Sequence, residues 1–137
     1  METTISTSTN VQLVQQAFED FAKGNIQSII DHCADDVVWG TFKVPGAPFS
    51  GQFYGKEGVE QFFKELKDTI EFTAFEPTGF VSQGDHVMVL GRQAGYVKPT
   101  GKNFDNEWCF HYELKDGKLQ RYFAFLNSYD VYRNFNL

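Results

Sequence analysis

The hydrophobic period of the chain changes once, near Thr69, and that change limits the fold more than any other feature. Before it, apolar residues recur at helical intervals. Val11, Val14, Phe18 and Phe21, joined by Leu13 and Ala17, predict a helix starting near Thr9 or Asn10, where Thr9 and Gln12 stand at capping-box spacing. Gly24 suits the left-handed residue that ends it, and Asn25 suits the cap of a short second helix carrying Ile26, Ile29, Ile30 and Cys33. Val59, Phe62, Phe63 and Leu66 stand at i, i+3, i+4 and i+7 and predict a third helix from about Lys56 to Asp68. In the gap, Asp35-Asp36 breaks the helical pattern, and Val37 to Trp39 reads as a short strand. Val44 to Gly51 is too rich in Pro and Gly for regular structure.

After Thr69 the signals are those of strands. They cover Glu71 to Ser82, with a bend or bulge at Pro77 and Gly79, then His86 to Val97, Phe104 to Leu114 and Leu119 to Leu126. Gln83 to Asp85, Lys98 to Lys102 and Lys115 to Lys118 are the turns between them. Ser128 to Leu137 predicts one last helical turn. Helices followed by an antiparallel meander predict an α+β domain with the helices on one face of a curved sheet. The other sheet face is then open to a second subunit. A chain of 137 residues has room for one such core. We expect a flexible tail over 1–9 and a single domain over 10–137.

Charge and composition exclude several classes. Twelve basic against 18 acidic residues give a net charge of −6, the wrong sign for binding a phosphate backbone. No apolar run approaches the roughly 20 residues of a membrane span. The Ser/Thr-rich start lacks the positive and apolar regions of a secretory signal, so cytoplasm is the expected location. Cys33 and Cys109 form no C-x-x-C pair and read as two buried free thiols. His32, His86 and His111 lie in separate elements with no ligand spacing among them, so no metal is expected. Gly51 to Glu57 resembles a phosphate loop but is one residue short and has Glu57 after Lys56, and no other cofactor motif occurs. Fifteen phenylalanines exceed what a small core needs. They point to an aromatic-lined cavity, a large apolar interface or a thick core.

Alternation in the last hairpin sorts candidates by face. Trp108, Phe110, Tyr112 and Leu114 share one face, and Glu107, Cys109, His111 and Glu113 the other. On the partner strand Tyr122, Ala124 and Leu126 alternate with Arg121, Phe123, Phe125 and Asn127. A two-residue turn at Asp116-Gly117 sets Phe110 opposite Phe123. A three-residue loop with a Gly117 bulge sets it opposite Tyr122, and Lys115-Asp116 favours this second form. His111 and Glu107 are the strand residues best suited to acid–base work, against the plainer reading of a solvated or subunit-facing surface. Trp39 and Trp108 can bracket an apolar ligand or belong to the core. Asn127 can bind a ligand at a pocket mouth or cap the residues that follow it.

The order of elements, with Ala34 to Val38, Gly55 to Val59 and Asp116 to Lys118, resembles the nuclear transport factor 2-like superfamily, a cystatin-like fold. Within it the chain is most similar to SnoaL-like and ketosteroid-isomerase-related proteins, from about Asn10 to the end. The resemblance implies a cone-shaped curved antiparallel sheet with three N-terminal helices on its concave face and a pocket between them. It also implies homodimers through the outer sheet face. The catalytic residues of those relatives do not carry over. The ketosteroid isomerase base falls on Thr41, its oxyanion-hole tyrosine on Ala17, and its second aspartate on Trp108, Cys109 or Phe110. The acidic residue that often ends the last strand of SnoaL-type cyclases is Asn127. The paired Arg and Asp of limonene-epoxide-hydrolase-like members are absent, since Gln93 and Ala94 follow Arg92.

The positions matching the pocket wall are Trp39, Thr41, Phe63, Trp108, Phe110, Tyr122, Ala124 and Leu126. They predict a site for a small apolar, ring-containing molecule, with no cofactor. If the chain is an enzyme, of isomerase, cyclase or hydrolase type, its candidates are His111, Glu107 and Asn127. The competing readings are a dimeric interaction or carrier module without catalysis, and an aldol cyclase of polyketide type. All ligand readings need an interior space larger than a few water molecules.

Overall fold

The computed structural model describes residues 2–137, with side chains from Thr9 onward. The elements run α1 (Glu2–Ala22), α2 (Ile26–Asp31), β1 (Cys33–Thr41), β2 (Gln52–Tyr54), α3 (Gly55–Thr69), β3 (Ile70–Gln83), β4 (His86–Val97), β5 (Asn103–Lys115), β6 (Lys118–Phe125) and α4 (Ser128–Asn136). The class is the expected one, α+β with helices against an open curved sheet, and α4 adds a fourth helix. The capping-box spacing at Thr9 does not mark the start of α1, because Ser and Thr weaken a helix interior by only a few tenths of a kcal/mol and do not stop it. The tail expected over residues 1–9 lies, for its side chains up to residue 8, outside the described residues. No described helix is long and apolar enough to cross a membrane.

Local chemistry explains most boundaries. Gly24 adopts φ +74 after α1, and the Asn25 side chain accepts from Ser28 N at 3.3 Å to cap α2. The strand β1 is longer than Val37 to Trp39. Asp35 and Asp36 are strand residues at an irregular stretch of the β1–β6 pairing, where both face solvent. Asp36 accepts from Gln120 Nε2 at 2.8 Å, and Lys56 Nζ lies 3.8 Å from Asp35. The loop from Val44 to Gly51 is folded on the Ser50 hydroxyl, which accepts from Val44 N and donates to Ala47 O. That loop sets Phe49 into the interior, 5% exposed.

The sheet order is β2-β1-β6-β5-β4-β3. The four long strands form the predicted meander, with register shifts in β3 at Phe72/Ala74 and at Pro77/Gly79. One pairing is not antiparallel, because β1 runs parallel to β6. The two are separated in sequence by α3 and four strands, and a long crossover frees a pair from hairpin geometry.

The last hairpin takes neither predicted register. Asp116 (φ +52) and Gly117 (φ +76) form a two-residue turn between paired Lys115 and Lys118. That turn alone would set Phe110 opposite Phe123 and bring Arg121 to the inner face. Gln120 is instead bulged out between the Leu114–Leu119 and Glu113–Arg121 pairs. The extra residue restores the alternation, so Phe110 faces Ala124, Tyr112 faces Tyr122, and Arg121 stays exposed.

The core fills the space between the inner sheet face and the helices. Trp108 and Phe110 stack at 3.8 Å, and the Phe18 ring of α1 lies parallel to both within 6.2 Å. Trp108 lies so close over Gly91 that a Cβ there would meet its ring carbons at 2.2 Å. Cys33 is fully buried, and burial pushes its thiol up to about 12. Cys109, expected to be buried too, is only half-buried, because it alternates onto the outer face with His111.

Candidate functional site

An interior cavity of about 90 Å³ lies between the inner sheet face and α1, α3 and α4. Its wall is mainly rings, from Phe18, Phe21, Phe49, Phe62, Phe63, Phe72, Phe75, Phe104, Phe110, Phe135, Trp39, Tyr112 and Tyr122. Each has a plain origin in the pattern. The phenylalanines of α1 and α3 stand on the buried stripe of their helices, and Phe110, Tyr112 and Tyr122 alternate inward on β5 and β6. Burial pushes the phenols of Tyr112 and Tyr122 well above the ordinary tyrosine range, so both stay protonated.

One end of this apolar wall is polar. Gln93 Nε2 donates to Asn106 Oδ1 at 3.1 Å, and Asn106 Nδ2 donates to Asp130 Oδ2 at 2.8 Å. The other Asp130 oxygen accepts from Arg133, and Asp130 N donates to the Asn127 side chain at 3.0 Å. Gln93 and Asn106 face each other on β4 and β5, while Asp130 and Asn134 occupy one side of α4 a turn apart. Among the described residues Asp130 is the only carboxylate in the cavity wall, and no His, Lys, Arg or Cys joins it. A buried chain of this kind is tolerated only when its members are satisfied. The middle of the wall carries the opposite feature. Trp39, 2% exposed, buries its indole Nε1 without a protein acceptor. The Thr41 hydroxyl is already committed, donating to Ala124 O at 2.6 Å.

Of the eight predicted wall positions, the cavity takes Trp39, Thr41, Phe63, Phe110, Tyr122, Ala124 and Leu126. Trp108 lies behind the wall, held between Phe75 and Phe110 over Gly91. The acid–base candidates fall elsewhere. Glu107 and His111 are on the outer sheet face, on the far side from the cavity, and Asn127 caps α4. Sequence reasoning missed Gln93, Asn106, Asp130 and Asn134. The signal for the last two was the spacing of Asp130, Val131, Asn134 and Phe135, which sets two polar and two apolar residues on one helical side.

The expected guest-sized space is mostly filled by the chain's own rings. At about 90 Å³ the cavity is below the roughly 150 Å³ that admits benzene and the 300 Å³ of ordinary ligand pockets. A second concavity of about 940 Å³ opens to solvent between α1, α3 and β3. Phe18, Phe21, Phe63, Leu66, Ile70, Phe72 and Phe75 line both spaces. Within this shared wall the rings of Phe21, Phe72 and Phe75 are in mutual contact, with centroids 5.1–6.1 Å apart.

A sheet that curves around an aromatic cavity closed by helices defines the α+β cone class. Residues 14–131 match the family of the SnoaL-like domain, and the chain belongs to that family. The fold is also that of a nuclear transport factor 2-like protein from Burkholderia xenovorans LB400, at 25% identity and a TM-score of 0.85, covering 95% of this chain and 98% of that one. TerC, crystallised with polyporic acid, superposes with a TM-score of 0.79 at 18% identity, covering 94% and 99%. A candidate SnoaL-like polyketide cyclase from Mesorhizobium loti gives 0.69 at 19% identity, covering 85% and 97%. No curated protein matches the chain.

Proposed function

We propose that the chain binds a small, mainly apolar ring compound bearing an oxygen acceptor, in the space formed when the cavity joins the groove. The observation that carries this reading is Trp39 Nε1, a buried donor without an acceptor in the wall of an aromatic cavity. Leaving such a group unpaired costs about 1–3 kcal/mol, which a ligand carbonyl or hydroxyl would recover. The phenols of Tyr112 and Tyr122 and the Gln93–Asn106–Asp130 chain supply further polar contacts at the cavity wall. Entry proceeds by side-chain rotation of Phe21, Phe72 and Phe75, which line both spaces. Any acid–base chemistry has Asp130 to work with, rather than the missing ketosteroid isomerase set. The polyporic acid crystallised with TerC supports ring compounds as the ligand class for this fold.

Thermal-shift and tryptophan-fluorescence titrations with 1-naphthol and 1,4-naphthoquinone test the proposal. Saturable stabilisation is expected, about 2.7 kcal/mol at a hundredfold excess over Kd, weakened in Trp39→Phe. No saturable response from either probe, in the parent chain or in a Phe21→Ala variant that opens the shared wall, would leave only a packed scaffold.

A second reading concerns the outer sheet face, where Phe42, Leu90, Val81 and Phe125 are 49%, 48%, 60% and 44% exposed. Phe42 packs edge-on against Phe123 and Phe125, so part of this surface is a contiguous apolar patch. We propose that it pairs with a second copy of the chain. Light scattering should report a dimer that Phe125→Glu dissociates, and a monomer at high concentration would count against it.

A further inference from the structure

The outer face carries a second constellation, unrelated to the cavity. His86 opens β4 and stands directly opposite Glu113 of β5, with His111 diagonal to it on the same side of the sheet. His86 Nδ1 and His111 Nε2 are 2.9 Å apart, and one ligand atom from each of His86, His111 and Glu113 lies within 4.8 Å of the others. The β4–β5 ladder runs from His86–Glu113 to Tyr96–Asn103 without a register shift, so these side chains stand on a rigid base.

We infer that His86, His111 and Glu113 form a binding site for a divalent first-row transition metal of the nickel or copper type. Two imidazole nitrogens and one carboxylate oxygen are a donor set suited to such ions. The two rings share a hydrogen bond of 2.9 Å, which a bound ion would replace. Three protein donors with open positions beside them leave room for the further water ligands of tetragonal or octahedral nickel and copper. Remaining coordination positions open toward solvent, since His86 is exposed and the other two are half-buried. Arg121 stands opposite Glu113 across β5–β6 and sets an opposing charge beside the site.

Isothermal titration of the tag-free chain with nickel(II) tests this. One ion per chain is expected. Affinity should fall at least about tenfold in His86→Ala and in His111→Ala, fall in Glu113→Gln, and stay unchanged in His32→Ala. Arg121→Gln, which removes the opposing charge, should bind more tightly than the parent. Zinc should bind more weakly than nickel. All five positions lie on exposed or half-buried surface, and unchanged Tm values in metal-free buffer confirm that the variants fold. Absence of stoichiometric nickel binding, nickel binding that survives His86→Ala, or zinc binding tighter than nickel would each overturn the proposal.

Discussion

Truncating Asp130 tests whether the polar end of the cavity is an integrated network. In Asp130→Ala the Asn106 Nδ2 donor loses its acceptor at a part-buried position, a penalty of about 1–3 kcal/mol. The ion pair with Arg133 adds at most about 1 kcal/mol, because the arginine side chain is 50% exposed and rehydrates. Removing a negative charge from the first turn of α4 costs a further few tenths of a kcal/mol. The total is about 2–4 kcal/mol. At about 2.1 cal/mol/K of unfolding entropy per residue, a chain of 137 residues should lose roughly 7–14 °C in Tm. Urea unfolding of Asp130→Ala, Asn106→Ala and the double variant closes the cycle. The double variant should be less destabilised than the two single variants combined, with a coupling of about 1–2 kcal/mol. Strict additivity, or an Asp130→Ala chain as stable as the parent, would refute the network.

Two other perturbations follow from packing. Gly91→Ala places a Cβ 2.2 Å from the Trp108 ring and 2.7 Å from Glu76 O. The second of these is backbone and cannot turn aside, so a loss of about 1–3 kcal/mol should appear in urea melts, with altered tryptophan fluorescence. Cys33 is fully buried with its thiol pushed up to about 12, while Cys109 is half-buried. A disulfide reagent at pH 8 should label Cys109 first and reach Cys33 only on denaturation, as peptide mapping will show. Early labelling of Cys33 would contradict the packing of α2 on β1.

The legible parts of this chain were those whose signal is local. Gly24, Asn25 and the stripe of Val59, Phe62, Phe63 and Leu66 determine their own neighbourhoods, and the Pro77–Gly79 irregularity is carried by the residues that show it. The inward rings followed from alternation once the strands were placed. What escaped depends on partners distant in sequence. Asp130 belongs to the cavity because Asn106 waits for it across 24 positions. His86 and His111 meet only because β4 and β5 pair in one register. The parallel seam between β1 and β6 has no local signature. The free volume was least legible of all, because rings that line a cavity and rings that fill it have the same periodicity.

The extra residue in β6 has a consequence for how this chain tolerates change in length. Shortening the strand by Gln120 would remove only the bulge, because Leu119 and Arg121 already stand opposite neighbouring residues of β5, and everything from Arg121 to Phe125 would keep its side. Exchanging Gln120 for another polar residue would leave both sides in place. At this point the strand has one residue to spare, and its loss forfeits chiefly the hydrogen bond from Gln120 to Asp36.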